Sequence, residues 1–220
     1  MDVLITSGGT REPIDGVRFI TNFSSGTTGA ALADEFAAAG WGVTLLRAID
    51  AAKPNDERVR LSTFRSVIEL DRACARLLGE RTYHAIIHAA AVSDFVVDAV
   101  VVDGVRHRAP LVGKLDSATA LSVELLPSPK ILPRLTGYAG GAARLVGFKL
   151  TNGASAAEVL AAVQAQLDRT DVDFVVHNDL TEMDHTAGRH RTTIYDRTGV
   201  VGGAETNAGL AVELRRLLAL

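Results

Sequence analysis

Short apolar runs, each closed by glycine or a small polar residue and each followed by an amphipathic stretch, recur along the chain. Val3-Leu4-Ile5-Thr6 leads into Ser7-Gly8-Gly9-Thr10, which reads as a buried strand ending in a tight turn. A helix from about Gly26 stops at Gly40, a residue suited to end it, and Gly42-Val43-Thr44-Leu45-Leu46 is a second strand. Phe64 to Leu78 has helical spacing, and Ala85 to Ala89 is a third strand. The pattern continues with a strand at Leu145–Phe148, a helix at Ala154–Leu167 and a strand at Phe174–His177. Arg191–Tyr195 and Val200-Val201 pair around Arg197-Thr198-Gly199, and Asn207 caps a closing helix to Leu218. Strands apolar on both faces, alternating with helices, belong in a parallel sheet covered on both sides. The expected fold is therefore α/β, a Rossmann-like parallel core with helices on both faces and right-handed crossovers.

One segment breaks the rhythm. From Phe95 to Leu126 apolar and polar residues alternate, and Asp103-Gly104 is a hairpin turn signal. This reads as an antiparallel flap, at about residues 95–126, rising from a single domain that spans residues 1–220. That length suffices for one well-buried core.

Composition narrows the partners. A net charge of −3 gives no broad basic field for nucleic acid or an anionic membrane. Any anion must be held by local groups. Cys74 is the single cysteine, so no internal disulfide and no thiolate metal cluster can form. No apolar run approaches the ~20 residues that span a bilayer. "MDVLITSGG" is too short and too acidic to begin a secretory signal, so a cytoplasmic location is expected.

In sheets of this kind ligands sit beyond the carboxyl ends of the strands. Those ends carry Ser7 to Thr10, Ala90-Ala91-Val92-Ser93-Asp94, Phe148-Lys149 and Asn178-Asp179. The stretch "FITNFSSGTTG", Phe19 to Gly29, adds a polar loop feeding a helix amino terminus, where free N–H groups and the dipole attract anions. Ser24 and Ser25 read as caps, and a cap with no ligand fits the same residues. A dinucleotide is not indicated: Gly8-Gly9 lacks the G-x-G-x-x-G order, and Gly26 with Gly29 supplies only G-x-x-G. G-x-x-x-x-G-K-[ST] is absent as well. His84 and His88 fall on a strand rather than in a helical metal motif, and His107, His177, His185 and His190 read as surface or satisfied core residues. No protein-built metal site is expected.

"VLITSGGTREPIDGVRFITNFSSGTTGAALADEFAAAG", "HAAAVSDF", "GKL", "LSVELLPSPKIL", "VGFKL" and "VVHNDLT" occur in the order found in phosphopantothenate–cysteine ligases, which the chain resembles from Val3 to about Thr181. The free-standing bacterial form is the most similar. The resemblance implies a two-step reaction of coenzyme A biosynthesis. The carboxylate of 4′-phosphopantothenate attacks the α-phosphate of a nucleoside triphosphate, and the cysteine amine then displaces the monophosphate. It implies CTP, with ATP as the alternative, Mg²⁺ arriving with the triphosphate, and a homodimer whose flap reaches the partner's site.

The same resemblance implies residue roles. Asn22 passes the acyl-nucleotide to cysteine, and Lys114 of the flap supports the reaction. Gly8, Gly9, Thr10, Ser24, Ser25 and Gly26 surround phosphate. Ala90, Ala91, Asp94, Phe148 and the segment Pro129, Lys130, Ile131, Leu132 lie about the nucleotide, with Pro129 to Leu132 also reading as a helix start. Asn178 and Asp179 face substrate. Two lysines that hold the triphosphate in fused relatives fall near Gln166 and Thr170, which are uncharged. Lys149 and Arg169 are the expected substitutes. No general base is assigned. A reductase that reads a 2′-phosphate through Arg47, or a sensor without turnover, are the competing expectations.

Overall fold

The computed structural model describes residues 1–116, 120–184 and 189–219, so His185 lies outside the described residues. In chain order the elements are β1 (Asp2–Ser7), β2 (Arg11–Pro13), β3 (Phe19–Thr21), α1 (Thr27–Ala38), β4 (Gly42–Ala48), β5 (Arg60–Phe64) and α2 (Val67–Glu80). There follow β6 (Ala85–His88), β7 (Phe95–Val102), β8 (Val105–Arg108), β9 (Leu121–Pro127), α3 (Leu132–Tyr138), β10 (Arg144–Thr151) and α4 (Ala156–Arg169). The chain closes with β11 (Phe174–Asp179), β12 (Met183–Asp184), β13 (Arg189–His190), β14 (Thr192–Asp196), β15 (Gly199–Ala204) and α5 (Asn207–Leu218).

Eight strands form the central sheet in the order β15-β14-β11-β10-β6-β1-β4-β5. The run from β5 to β11 is parallel, and β14 and β15 add an antiparallel hairpin at one edge. From β1 the chain builds outward to β4 and β5, then returns to place β6 on the other side of β1. This reversal opens a crevice above β1 and β6, where such sheets take ligands. Two apolar layers flank the sheet. Leu32, Phe36, Leu210 and Leu214 of α1 and α5 cover one face. Leu70, Cys74, Leu135, Val163 and Leu167 of α2, α3 and α4 cover the other.

Several local expectations need correction. Phe64 ends β5 and does not begin a helix; Ser66 accepts from Glu69 N at 3.3 Å and starts α2 at Val67. Ser24 and Ser25 do not cap α1, because Gly26 (φ 75°) holds that position with no side-chain cap bond. Thr206 rather than Asn207 caps α5, accepting from Gly209 N at 3.1 Å. The helix anticipated from Pro129 starts at Leu132, with Ile131 as its cap. The short β2–β3 hairpin within "TREPIDGVRFIT" was not read from the sequence; its pairs run Arg11↔Thr21 to Pro13↔Phe19.

The flap is present as a separate three-stranded sheet, β8-β7-β9, turning at Asp103 (φ 49°) and Gly104 (φ 77°). Its root is pinned: Ser128 N donates to Asp94 O at 2.9 Å, and Ser128 Oγ donates to Ser93 O. Asp15, at the tip of the β2–β3 hairpin, is 4% exposed and accepts from Val17 N, Arg18 N and, across to the flap, Leu115 N at 3.1 Å. These amides hold its carboxyl down at about 2.

Candidate active site

The carboxyl ends of β1 and β6 continue as paired loops. Ala91 N donates to Gly8 O at 2.9 Å and Thr10 N donates to Ala91 O at 3.1 Å. Side chains beneath fix the pair. Thr10 Oγ1 accepts from Ser93 N at 3.0 Å, while Thr6 Oγ1 accepts from Ala90 N at 3.2 Å and lies 2.8 Å from His88 Nδ1. His88 is buried, which lowers its pKa to about 4 and keeps the ring neutral. Thr6 and His88 are supports the sequence reading missed. The signal was present in their position, as polar residues ending two apolar strands.

Glycine is required where the loops approach other backbone. At Gly8 (φ 84°) a Cβ would lie 2.6 Å from Ala51 Cβ, and at Gly9 one would lie 2.5 Å from Asn22 O. A Cβ on Gly26 would meet Ala51 Cβ at 2.7 Å, and Ser7 Oγ donates to Gly26 O at 3.0 Å. The amino end of α1 is thereby drawn down against Gly8. Its cap residue, Gly26, makes no side-chain cap bond. Ser25 Oγ lies 3.1 Å from Thr27 Oγ1 and accepts from Thr27 N at 3.5 Å. The first-turn N–H groups after Thr27 therefore face the crevice mouth beside Ser24 and Ser25.

Asn22 stands at that mouth, exposed, and its Nδ2 donates to Val92 O at 3.1 Å. One amide hydrogen so engaged fixes the side chain's direction and leaves the second available. On the opposite lip Asp94 pairs with Lys130; both are exposed, so the pair contributes little to stability and is free to open. Ile131 is buried beneath it.

The remaining predicted residues divide. Phe148 and Lys149 are neighbours on β10, so their side chains project to opposite faces of the sheet. Phe148 packs with the α1 and α5 layer. Lys149 rises on the α3 and α4 face, where a Cβ on Gly147 would meet Gln166 Nε2 at 2.4 Å. Asn178 is buried, with Nδ2 toward Met183 Sδ at 3.4 Å. Asp179 is spent on backbone: it accepts from Gly153 N, Ala154 N and Thr181 N and from the hydroxyls of Thr151 and Thr181. These bonds hold its carboxyl far below the usual range. It shapes the rim and offers substrate little.

Three residues are not brought to the crevice. Arg169 ends α4, and a 14-residue helix running back from the rim spans about 21 Å, which puts Arg169 at the amino end of the sheet. Lys114 lies beyond the β2–β3 hairpin tip, between Gly113 and Leu115, whose backbones dock on Gly16 and Asp15. Arg47 is 6% exposed and its Nη1 donates to Ala48 O, Ile49 O and Ala51 O, so it cannot reach a 2′-phosphate and the reductase expectation loses its key contact. A cavity of about 700 Å³ lies apart from the crevice, between the β2–β3 hairpin, the start of α2 and the flap, lined by Arg11, Asp15, Arg18, Phe19, Arg65 and Arg108 among others. It includes neither Gly8 nor Asn22.

Known proteins share this fold and part of this sequence. Residues 1–208 match the family described as DNA/pantothenate metabolism flavoprotein C-terminal domain. The coenzyme A biosynthesis bifunctional protein CoaBC of Thermococcus kodakarensis is 37% identical over 180 residues, covering 81% of this chain and 41% of that protein. The chain thus spans about two fifths of the length of that relative. The crystal structure of the DNA/pantothenate metabolism flavoprotein from Streptococcus pneumoniae superposes with a TM-score of 0.85 at 24% identity, over 100% of this chain and 99% of that one. The C-terminal domain of a CoaBC protein superposes with a TM-score of 0.72 at 25% identity, over 99% of this chain and 94% of that one. From matched sequence and matched fold together, the chain belongs to the family of DNA/pantothenate metabolism flavoprotein C-terminal domains.

Proposed function

We propose that this chain joins 4′-phosphopantothenate to cysteine at the expense of a nucleoside triphosphate, in coenzyme A biosynthesis. The carrying observation is the crevice in which the uncapped amino end of α1, the Gly8-Gly9 turn and Asn22 converge. The name of the Thermococcus relative, a coenzyme A biosynthesis protein, supports the pathway.

In the first step a carboxylate oxygen attacks the α-phosphorus and the bond to pyrophosphate breaks. The helix amides, with Ser24 and Ser25, take the phosphate charge. In the second step the neutral cysteine amine attacks the acyl carbon and the nucleoside monophosphate leaves. Charge then grows on the acyl oxygen, and the free amide hydrogen of Asn22 donates to it, a contact worth about 3 kcal/mol in comparable acyl transfers. CTP is the preferred triphosphate and ATP the alternative. Mg²⁺ supplies charge neutralisation on the triphosphate; the described residues hold no cluster of three metal-binding side chains, so Asp94, once released by Lys130, is the carboxylate that would touch it. A homodimer accommodates Lys114, which in one protomer lies away from Asn22.

The test is pyrophosphate release from CTP or ATP with 4′-phosphopantothenate and Mg²⁺, with and without cysteine. Release that depends on phosphopantothenate, with amide formed only when cysteine is added, is the expected result. Nucleotide binding with no release would make the chain a sensor and overturn the ligase reading.

A further inference from the structure

Arg47, next to last in β4, is in register with Ser7 of β1, so the two side chains rise together on the face covered by α1. Ser7 touches that helix directly, since a Cβ on Gly29 would lie 2.4 Å from Ser7 Cβ. Among the described residues the guanidinium is held from one nitrogen only: Nη1 donates to Ala48 O at 3.0 Å, Ile49 O at 3.0 Å and Ala51 O at 2.5 Å. Among the described residues the buried Nε has no hydrogen-bond partner and no carboxylate pairs with Arg47. Carbonyl oxygens orient a guanidinium but do not neutralise it, so a full positive charge is retained at a site that is 6% exposed.

The loop that Arg47 grips is also the floor of the crevice. Ala48 and Ala51 carry the methyl groups against which Gly8 and Gly26 are packed, and Ala52 N donates to Ser25 O at 2.9 Å. The buried charge therefore lies under the amino end of α1, which is itself positive. Two sources of positive potential face one crevice, and Asp50, the acid of the gripped loop, is exposed and paired with Arg11 rather than with Arg47. An anion in the crevice balances both.

We propose that Arg47 is a positioning residue that supplies, from beneath, the positive potential holding a polyphosphate between Gly8-Gly9 and Ser24–Gly26. The proposal rests on the triphosphate reading above and names the charge that Gln166 and Thr170 lack and that Arg169, at the far end of α4, does not provide. Arg47 acts through its field rather than by contact. Its removal therefore weakens affinity more than turnover, and its contribution resists salt because the charge is shielded from solvent ions.

The experiment is calorimetric titration of the full chain with inorganic pyrophosphate and with inorganic phosphate. Arg47→Gln keeps an amide donor for the carbonyls and removes the charge; Arg47→Lys keeps the charge. We expect Arg47→Gln to raise the pyrophosphate Kd by about tenfold and Arg47→Lys by no more than about threefold, with phosphate affected less than pyrophosphate. An unchanged Kd in Arg47→Gln, or equal losses in both variants, overturns the proposal. Should Arg47→Gln fail to fold, the ¹⁵Nε–H resonance of Arg47 in the wild type decides: it shifts on pyrophosphate addition, and a stationary signal overturns the proposal. The two readings separate cleanly. Ligase turnover whose triphosphate KM is untouched by Arg47→Gln removes this proposal alone. Arg47-dependent pyrophosphate binding in a chain that makes no amide removes the ligase reading alone.

Discussion

Gly9 is a glycine because the carbonyl oxygen of Asn22 occupies the space a side chain would need: a Cβ there would lie 2.5 Å from it. The turn after β1 thus sets the position of the residue proposed to guide the acyl group. Gly9→Ala should shift Asn22 by a substantial fraction of an ångström, and misplacements of that order cost about 100-fold in rate. Thermal unfolding should change far less, since the contact is local. Turnover within about twofold of wild type would contradict the link.

Asn22→Asp removes the amide donor and places a negative charge where negative charge must develop. Pyrophosphate should still form in a first turnover, while amide production falls by about 100-fold. Rapid-quench separation of the two steps is the measurement. Unchanged amide yield would dismiss the role given to Asn22.

Lys149 and Arg169 were expected to act together, and their placement now separates them. Lys149 is on β10 just short of the rim and has no ionic partner among the described residues, whereas Arg169 is exposed at the far end of α4. Lys149→Ala should raise the triphosphate KM by about threefold to tenfold, and Arg169→Ala should leave it unchanged. Equal effects would show that the sheet ends have been misassigned.

His88 gives a stability signature. In the folded chain burial lets the ring take a proton only near pH 4, against about 6.5 for the solvated imidazole of the unfolded chain. Between these values the unfolded chain binds more protons, so stability is complete above pH 6.5 and declines as pH falls toward 4. The loss is roughly 3 kcal/mol. Urea unfolding at several pH values across this window should show the slope in wild type and a flatter profile in His88→Gln.

The parallel core was legible because runs such as Val3-Leu4-Ile5 and Ala85-Ile86-Ile87 are apolar at successive positions, which suits a doubly covered sheet. The flap was legible from Asp103-Gly104. The β2–β3 hairpin was not, because three-residue strands leave too few alternations to count, and its stability comes from Asp15 gathering amides from two segments. The cap of α1 was misread for a related reason: Ser24 and Ser25 have capping chemistry, but Gly26 takes the left-handed turn that lets the helix end approach Ser7. Arg47 looked like a ligand contact from its place after a strand. Its burial depends on three carbonyls of a loop whose path no local pattern specifies.

The flap leaves the core after Asp94 and re-enters it at Ser128, and those two residues are bonded to each other. Topologically it is a peninsula on a narrow isthmus. Lengthening, trimming or exchanging the outer part of that outcrop, beyond its bonds to the β2–β3 hairpin, alters no pairing in the eight-stranded foundation.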